Sequence, residues 1–272
     1  MITLSLGITT SMTVEESKTL VGAAEDAGYT RVWLGEDIFH REVFTYLSLL
    51  AAGGSSIGLG VGVTSPYVRY KEVLAASAKA VSELSQGRFI LGLGAGGLPE
   101  VERLTGSRPR KPVSVMEEAI KDLRERTGLS IYVGARGPRM LELAGRVADG
   151  VILSGPKRYL DRALEIVDEA SEGRRVRKVL WNAFYLGENE ALLSKVTEVM
   201  LQSMPPFAKD FMDRRDPERD LCVAGPPERV AREIRGFEKK GFDEVVIGPP
   251  YGETPESAIA EMGEIIGDRH KH

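Results

Sequence analysis

Short apolar runs rich in β-branched residues alternate with longer amphipathic runs along the whole chain. The apolar runs predict eight strands, at Thr3–Thr9, Arg31–Gly35, Ile57–Val63, Phe89–Gly94, Ile131–Val133, Val151–Ser154, Val179–Leu186 and Glu244–Ile247. The amphipathic runs predict nine helices, at about Val14–Ala27, Arg41–Ala52, Lys71–Leu84, Val115–Arg126, Pro138–Val147, Arg158–Ala170, Glu190–Ser203, Pro227–Lys240 and Pro255–Ile266. This alternation is typical of a parallel sheet with crossover helices.

Eight strand–helix repeats without a polar linker favour one domain. We predict a single (β/α)8 TIM barrel over residues 1–266, followed by a charged tail at 267–272. The alternative is an open doubly wound sheet, which usually has a glycine-rich turn after its first strand. The corresponding turn here, Thr9–Met12, contains no glycine. The α/β barrel is therefore the favoured fold class.

Composition limits the partners that the chain can have. The 272 residues are 42% hydrophobic, which is enough for a sizeable core, and the net charge of −4 comes from interleaved acids and bases rather than a basic patch. This pattern excludes a typical nucleic-acid binder. There is no basic leader and no apolar run near the roughly 20 residues that span a bilayer, so we expect a cytoplasmic protein without a membrane partner. One cysteine, Cys222, and three histidines offer no pattern for a disulfide or a metal site.

The segment 131–154 predicts a strand, a helix and a second strand around a gap that would fit a phosphate. Small residues follow the first strand, so backbone amides there can approach a ligand closely. Pro138 then opens a helix whose first amides and dipole favour an anion, and two arginines add positive charge. An ordinary strand–helix–strand unit without a ligand explains the glycines equally well. The candidate phosphate-binding residues are Gly134, Ala135, Arg136, Gly137, Pro138 and Arg139.

In a (β/α)8 barrel the functional residues lie at the C-terminal ends of the strands. The second strand brings two acids there, Glu36 and Asp37, which are our candidate catalytic residues. Glycines are dense after the third, fourth and fifth strands, as expected if a flat aromatic cofactor lies against backbone, although each glycine alone could simply allow a tight turn. Arg41 and Arg69 could meet an acidic tail, but we expect each to be a surface or salt-bridge residue. The further candidate cofactor-binding residues are Gly62, Val63, Thr64, Gly94, Ala95, Gly96 and Gly97.

Five stretches occur in an order that resembles a known family. They are VWLGEDIFHREVF at 32–44, IGLGVGVTSPYVRY at 57–70, LSQGRFILGLGAGG at 84–97, IYVGARGPRMLELAGRVADGVI at 131–152 and CVAGPPERVAREIRGFEKKGFDEVVIGPPYG at 222–252. The chain resembles the bacterial-luciferase-like family of flavin- and deazaflavin-dependent barrels. Within it, the closest resemblance is to the methylenetetrahydromethanopterin reductases that use coenzyme F420.

The resemblance implies where a cofactor would lie. The flat ring would rest in the barrel mouth against a bulge in the third strand, at a non-proline cis peptide that corresponds to Gly62–Val63. Thr64 and the segment Gly94–Gly97 would contact the ring and its ribityl chain. The phosphate would lie at Gly134–Arg139, the site that the helix-dipole argument also favours. Relatives are often homo-oligomers, so we expect one here.

The chain also departs from the family pattern. An Asp-His pair is replaced by Glu36 and Asp37. If both carboxylates face the mouth, their repulsion would raise one pKa and keep a proton near the ring; otherwise they are solvated loop charges. Thr9 and Gly97 stand where relatives often carry carboxylates. Shortened connections after Arg126 and before Asp220 imply a different cover over the substrate.

We therefore expect an oxidoreductase that binds coenzyme F420 and transfers a hydride between the deazaflavin and an unidentified electrophilic small molecule. The redox chemistry would belong to the cofactor, while the protein positions the reactants. Two alternatives stay open. One is an FMN-dependent luciferase-like monooxygenase, and the other is a non-catalytic flavin-binding barrel.

Overall fold

A computed structural model describes residues 2–267 of the chain. Its strands are β1 (Thr3–Thr9), β2 (Arg31–Gly35), β3 (Gly58–Thr64), β4 (Phe89–Leu93), β5 (Ile131–Gly134), β6 (Gly150–Leu153), β7 (Arg177–Leu186), β8 (Cys222–Gly225) and β9 (Glu244–Gly252). Its helices are α1 (Val14–Asp26), α2 (Val43–Ala52), α3 (Lys71–Leu84), α4 (Leu98–Thr105), α5 (Pro112–Thr127), α6 (Pro138–Val147), α7 (Lys157–Ser171), α8 (Glu190–Ser203), α9 (Pro206–Lys209), α10 (Pro217–Leu221), α11 (Pro227–Lys240) and α12 (Pro255–Gly267).

Eight parallel strands close into a barrel. Consecutive strands pair from β1 to β7, and β9 pairs with both β7 and β1. The short strand β8 lies outside this ring and pairs with residues 183–186 of β7. The helices cover the outside, and α1 packs against α12. The predicted (β/α)8 fold is therefore confirmed.

Local chemistry explains where several helices begin and end. The Thr13 hydroxyl accepts the Glu16 amide at 3.2 Å, while the Glu16 carboxylate accepts the Thr13 amide at 2.7 Å, a reciprocal cap at the start of α1. Helices α5 and α6 begin at Pro112 and Pro138, where the missing amide hydrogen costs no hydrogen bond. Gly128 ends α5 in the left-handed conformation that favours glycine.

Aromatic side chains fill the inside of the barrel. The rings of Trp33 and Tyr132 lie 5.7 Å apart and pack with the indole of Trp181. Glycines on neighbouring strands make room for them, since a Cβ on Gly60 would lie 2.5 Å from Trp33 and a Cβ on Gly7 would lie 2.7 Å from Trp181. Several strand glycines are thus explained by core packing.

A buried carboxylate lies at the N-terminal end of the barrel. Glu244 begins β9, is 3% exposed, and accepts hydrogen bonds from Ser5 Oγ and Trp33 Nε1 at 2.6 Å each. Arg177 approaches its second oxygen at 3.9 Å. Because these donors satisfy the charge, we assign the buried Glu244 carboxylate a structural role at this end of the barrel.

The structure adds elements that the hydrophobic pattern did not predict. They are β8 and the short helices α4, α9 and α10. Four-residue β8 follows α10 directly and is too short to show a period, and the amphipathic pattern of α4 is brief. The ends of the predicted strands agree with those observed to within two residues, except that the last strand continues to Gly252 instead of ending at Ile247. Of the charged tail predicted at 267–272, only Gly267 is described, as the last residue of α12; residues 268–272 lie outside the described part.

Candidate active site

The C-terminal ends of β2, β3 and β4 surround a cavity of about 290 Å³, which we call cavity A. Its walls combine carboxylates with small and apolar residues. They are Glu36, Asp37, Ile38, Val63, Ser65, Gly96, Gly97, Glu100 and Val101. The structure therefore brings together residues that the sequence placed at three different strand ends.

The Glu36 carboxylate is held by Arg69. Its side chain is 3% exposed and forms a two-oxygen ion pair with the Arg69 guanidinium, whose Nη1 lies 2.8 Å from Oε2. The Thr64 hydroxyl donates to the same oxygen at 2.7 Å, and Glu42 accepts Arg69 Nη2 at 2.8 Å. Burial alone would lower the pKa of Arg69, but its hydrogen bonds and charge contacts with Glu36 and Glu42 outweigh burial and raise the pKa. Glu36 is thus a fixed anion in the wall of cavity A.

The Asp37 carboxylate has different partners. It accepts the Phe39 amide at 3.2 Å and lies 3.3 Å from His40 Nε2, and its side chain is 45% exposed. The Asp37 amide is bound by the buried Thr10 hydroxyl at 2.9 Å. Glu36 and Asp37 thus both line cavity A, and their carboxylates bind separate cationic or polar groups.

The peptide bond between Gly62 and Val63 is cis, as the family resemblance implied. The register of β3 against β4 shifts between Val61 and Thr64, so the expected bulge is also present. The Val63 side chain occupies the space over Gly94 and Gly134, where an added methyl group on either glycine would collide with it. These two glycines thus make room for Val63, which corrects the expectation that they expose bare backbone to a ring.

The segment after β4 forms the opposite wall of cavity A. Ala95 accepts a hydrogen bond from Ser65 Oγ at 3.1 Å. Gly96 has a φ of +77° and packs against Val101 and Ser65. Gly97 is the N-cap of α4, and a methyl group there would overlap the Glu100 carboxylate. Gly96 and Gly97 therefore do border the cavity, as predicted, although Ala95 does not line it.

A second cavity, cavity B, has a volume of about 600 Å³ and lies between the first residues of α5 and α6. Two helix starts and two exposed cations thus face one space. Its lining residues are Lys111, Pro112, Val113, Ser114, Gly137, Pro138, Arg139 and Met140. Free first-turn amides and positive charge are the features that bind phosphate groups. Among residues 2–267, neither Lys111 nor Arg139 forms an ion pair.

Only half of the predicted phosphate segment lines cavity B. Gly137, Pro138 and Arg139 do. The Ala135 amide instead donates to Ile152 at 3.2 Å and its carbonyl accepts Tyr159 Oη, while Gly134 packs on Val63. These backbone groups already have partners inside the protein.

Arg136 and Arg41 have structural partners. Arg136 donates to the Ser203 carbonyl and hydroxyl at 3.2 and 3.1 Å, and so binds the C-terminal end of α8. Arg41 donates to the carbonyls of the loop after β1. Arg69 forms the salt bridges expected of it, and Arg41 is an exposed residue that binds carbonyls. Arg136 likewise binds groups of the protein and does not line cavity B.

Several lining residues of these cavities were not predicted as site residues, among them the polar residues Glu100, Lys111 and Ser114. Lys111 and Ser114 flank Pro112, and the same proline-start signal that identified α6 was present there. Glu100 lies in a short helix that was not predicted. Within the described residues there is also no group of three or more His, Cys, Asp or Glu side chains that could hold a metal ion.

Two overlapping stretches of the chain, residues 2–128 and 122–244, match the family model of the luciferase-like monooxygenases. The chain belongs to this family. The resemblance seen in the sequence motifs is thereby confirmed. Across residues 2–267, the luciferase-like chain has no helix long and apolar enough to cross a membrane.

Its luciferase-like relatives include F420-dependent oxidoreductases. The 5,10-methylenetetrahydromethanopterin reductase of Methanolobus tindarius is 27% identical over 90% of this chain and 93% of that enzyme. The structure of the coenzyme F420-dependent tetrahydromethanopterin reductase from Methanopyrus kandleri has a TM-score of 0.84 at 20% identity and covers 99% of each chain. An F420-dependent secondary alcohol dehydrogenase, solved with an F420–acetone adduct, has a TM-score of 0.85 at 15% identity and covers 98% of each chain.

Proposed function

We propose that this protein is an F420-dependent oxidoreductase that transfers a hydride between the deazaflavin and an electrophilic small molecule. Relatives whose names specify F420 span nearly the whole chain, which supports the choice of cofactor. When bound, the deazaflavin supplies the hydride. The two cavities at neighbouring strand ends support a role for the protein in binding and orientation.

The set of residues that line cavity B is the main observation in support of this proposal. Lys111, Arg139 and the first amides of α5 and α6 offer charge and donors for the cofactor phosphate, and no described acid neutralises the two cations. Gly137 leaves open space, because a Cβ there would meet nothing within 4 Å. The donor set therefore fits a phosphate.

Cavity A is the proposed place of the ring and the reacting carbon. Ile38, Val63 and Val101 give apolar walls that exclude water, and Ser65 presents a hydroxyl beside them. Glu36 contributes a fixed negative charge because Arg69 and Thr64 hold its carboxylate. Asp37 adds a more exposed carboxylate at the rim. We retain both acids as candidate catalytic-site residues with electrostatic roles.

A titration of the purified protein with coenzyme F420, and separately with FMN, tests the choice of cofactor. We expect F420 to bind, as followed by quenching of its fluorescence, and FMN to bind more weakly. Reduced F420 would then be mixed with oxidised substrates of the kinds that relatives use, namely methylenetetrahydromethanopterin and a ketone. Binding of neither F420 nor FMN would contradict the proposal.

An FMN-dependent monooxygenase is the second candidate, because the matching family carries that activity in its name and the FMN phosphate would fit cavity B. Tighter binding of FMN, with oxygen consumption on reduction, would favour it. F420 binding without turnover of any substrate would favour the non-catalytic alternative. Action in the cytoplasm and as a homo-oligomer stays a prediction.

Gly137→Asp tests the position of the phosphate. An aspartate at the start of α6 would place a negative charge in cavity B, so we expect F420 affinity to fall at least tenfold, or about 1.4 kcal/mol. Gly137→Asn is the matched control, since it has nearly the same shape without the charge and the backbone φ of −107° accepts either residue. Equal affinity of the two variants would place the phosphate elsewhere.

A further inference from the structure

The three carboxylates that line cavity A differ in how fully their oxygens are occupied. Glu36 is bound by Arg69 and Thr64, and Asp37 by the Phe39 amide and His40. Glu100 has no hydrogen-bond or ion-pair partner within residues 2–267. It is therefore the carboxylate of cavity A that can exchange a proton without first breaking an internal bond.

Glu100 is also placed at the C-terminal end of a barrel strand, although it belongs to a helix. It is the third residue of α4, and its carboxylate lies over the Cα of Gly97, the residue that caps this helix after β4. Gly97 has no side chain of its own to offer the cavity. The first turn of α4 therefore places the Glu100 carboxylate at the C-terminal end of β4, where Gly97 provides no acidic side chain.

A purely structural role for Glu100 would be to cap its helix. A glutamate at the third position often accepts the amide of the N-cap residue. That bond does not form here, and α4 has no side-chain cap of any kind. The carboxylate is directed over Gly97 and into the wall of cavity A instead.

We propose that Glu100 is the acid–base residue that exchanges a proton with the substrate during hydride transfer, an inference that rests on the proposed F420-dependent function. In the reductive direction, the electrophilic carbon of the substrate gains a hydride from the reduced deazaflavin. The π electron pair of its C=X bond moves to the heteroatom X, which takes the proton from the Glu100 carboxyl. The substrate gains two electrons with the hydride, and the cofactor loses two electrons and releases its remaining proton to solvent. Solvent then protonates the Glu100 carboxylate again.

The surroundings of Glu100 allow its proton affinity to respond to bound reactants. The charged and titratable groups on the elements around it are Glu36, Asp37, His40, Arg69 and Arg103. Arg69 is shared between Glu36 and Glu42, Asp37 faces His40, and Arg103 stacks on the ring of Phe39 at 3.5 Å. A ring that covers cavity A would therefore mainly desolvate Glu100, which favours its protonated form.

Carbon-13 NMR of glutamate labelled at Cδ tests this without turnover. The Glu100 resonance is assigned by its loss in Glu100→Gln and titrated with and without saturating F420. We expect F420 to move the titration midpoint of Glu100 upward by about one pH unit or more, and to leave that of Glu102, on the same helix but outside the cavity lining, unchanged. An unchanged Glu100 midpoint in protein that binds F420 would overturn the inference.

Kinetics test the transfer itself, with the substrate that the wild-type protein reduces fastest. Glu100→Gln should slow reduction about 100-fold or more and remove the fall in rate at high pH, while F420 affinity stays within about threefold. Glu102→Gln should match the wild type. Gly97→Asp combined with Glu100→Ala, which clears room for the new carboxylate, should restore part of the rate. Full activity of Glu100→Gln would overturn the inference, whereas wild-type protein that fails to bind F420 would contradict the proposed function instead.

Discussion

Arg69 determines the charge balance of cavity A. Its guanidinium contacts Glu36 and Glu42, and it lies 5.4 Å from the ring of Phe44. The Glu36 side chain is almost fully buried, so its negative charge depends on this partner and on the Thr64 hydroxyl. One arginine thus joins the ends of β2 and β3 to the start of α2.

Replacing Arg69 alone should destabilise the fold strongly. Arg69→Met leaves Glu36 buried without a counter-charge, and we expect the free energy of unfolding in urea to fall by about 3 kcal/mol. The double variant Glu36→Gln, Arg69→Met removes both charges and should recover a large part of this loss. If the double variant is no more stable than Arg69→Met, the ion pair is not the source of the effect.

The chemistry of single residues could be predicted only in part. Glu36 and Asp37 were identified at the end of the second strand, but their partners come from other segments. The sequence does not say which of many arginines reaches Glu36, because the pairing depends on how strand ends meet in three dimensions. Glu100 was missed for the same reason: its approach to Gly97 depends on the turn that starts α4.

At the scale of elements, the ends of β3, β4 and β5 fit together through one side chain. Val63 fills the space left by Gly94 and Gly134, whose absent side chains would otherwise collide with it. The glycines and the valine therefore form one packing unit. Val63 also lines cavity A, so this packing shapes part of the wall of that cavity.

Gly94→Ala should disturb this packing unit. The added methyl group would overlap Val63, so we expect a loss of about 1–3 kcal/mol in unfolding free energy and weaker F420 binding. Val63→Ala in the same chain should relieve the overlap and recover stability. Gly137→Ala, whose Cβ faces open space, should cost less than about 1 kcal/mol. Equal losses for Gly94→Ala and Gly137→Ala would contradict the packing argument.

The type and order of the main elements were predictable, because strands and helices of ordinary length carry clear periodicity. The structural role of each glycine was harder to predict. The sequence showed that glycines are dense near the strand ends, but only the structure separates those that make room for Trp33, Trp181 or Val63 from those that border a cavity. Steric complementarity between distant strands leaves no local signal.

At the scale of the whole molecule, the two ends of the barrel differ in whether their charged groups have partners inside the protein. Glu244, Ser5 and Trp33 form a satisfied polar cluster at the N-terminal end, whereas the uncommitted Glu100 and the cations of cavity B lie at the C-terminal end. Exposed charged groups that have no partner within residues 2–267 are available at this end to bind a ligand.

Cys222 should report on global unfolding. It is 1% exposed, and burial raises the pKa of its thiol from 9.0 to about 11, so about 0.1% is thiolate at pH 8 in the folded state. We expect a disulfide reagent to modify it only as fast as the barrel opens. Bound F420 should slow the reaction further, because it stabilises the folded state. Because burial raises its pKa, the protonated thiol of Cys222 also stabilises the folded state below pH about 9. This contribution to the free energy of unfolding is lost as pH rises towards 11. Rapid modification of the native protein would show that β8 detaches locally.

The two tryptophans give the barrel an internal optical reporter. The sequence contains no others, and both Trp33 and Trp181 lie inside the ring of strands, with the Trp181 indole packed against Gly62, the residue before Val63 of cavity A. A chromophore that enters the mouth must come within energy-transfer distance of both. Occupancy of the site is therefore coupled to the protein's own ultraviolet emission, and ligands can be screened in native, unlabelled protein.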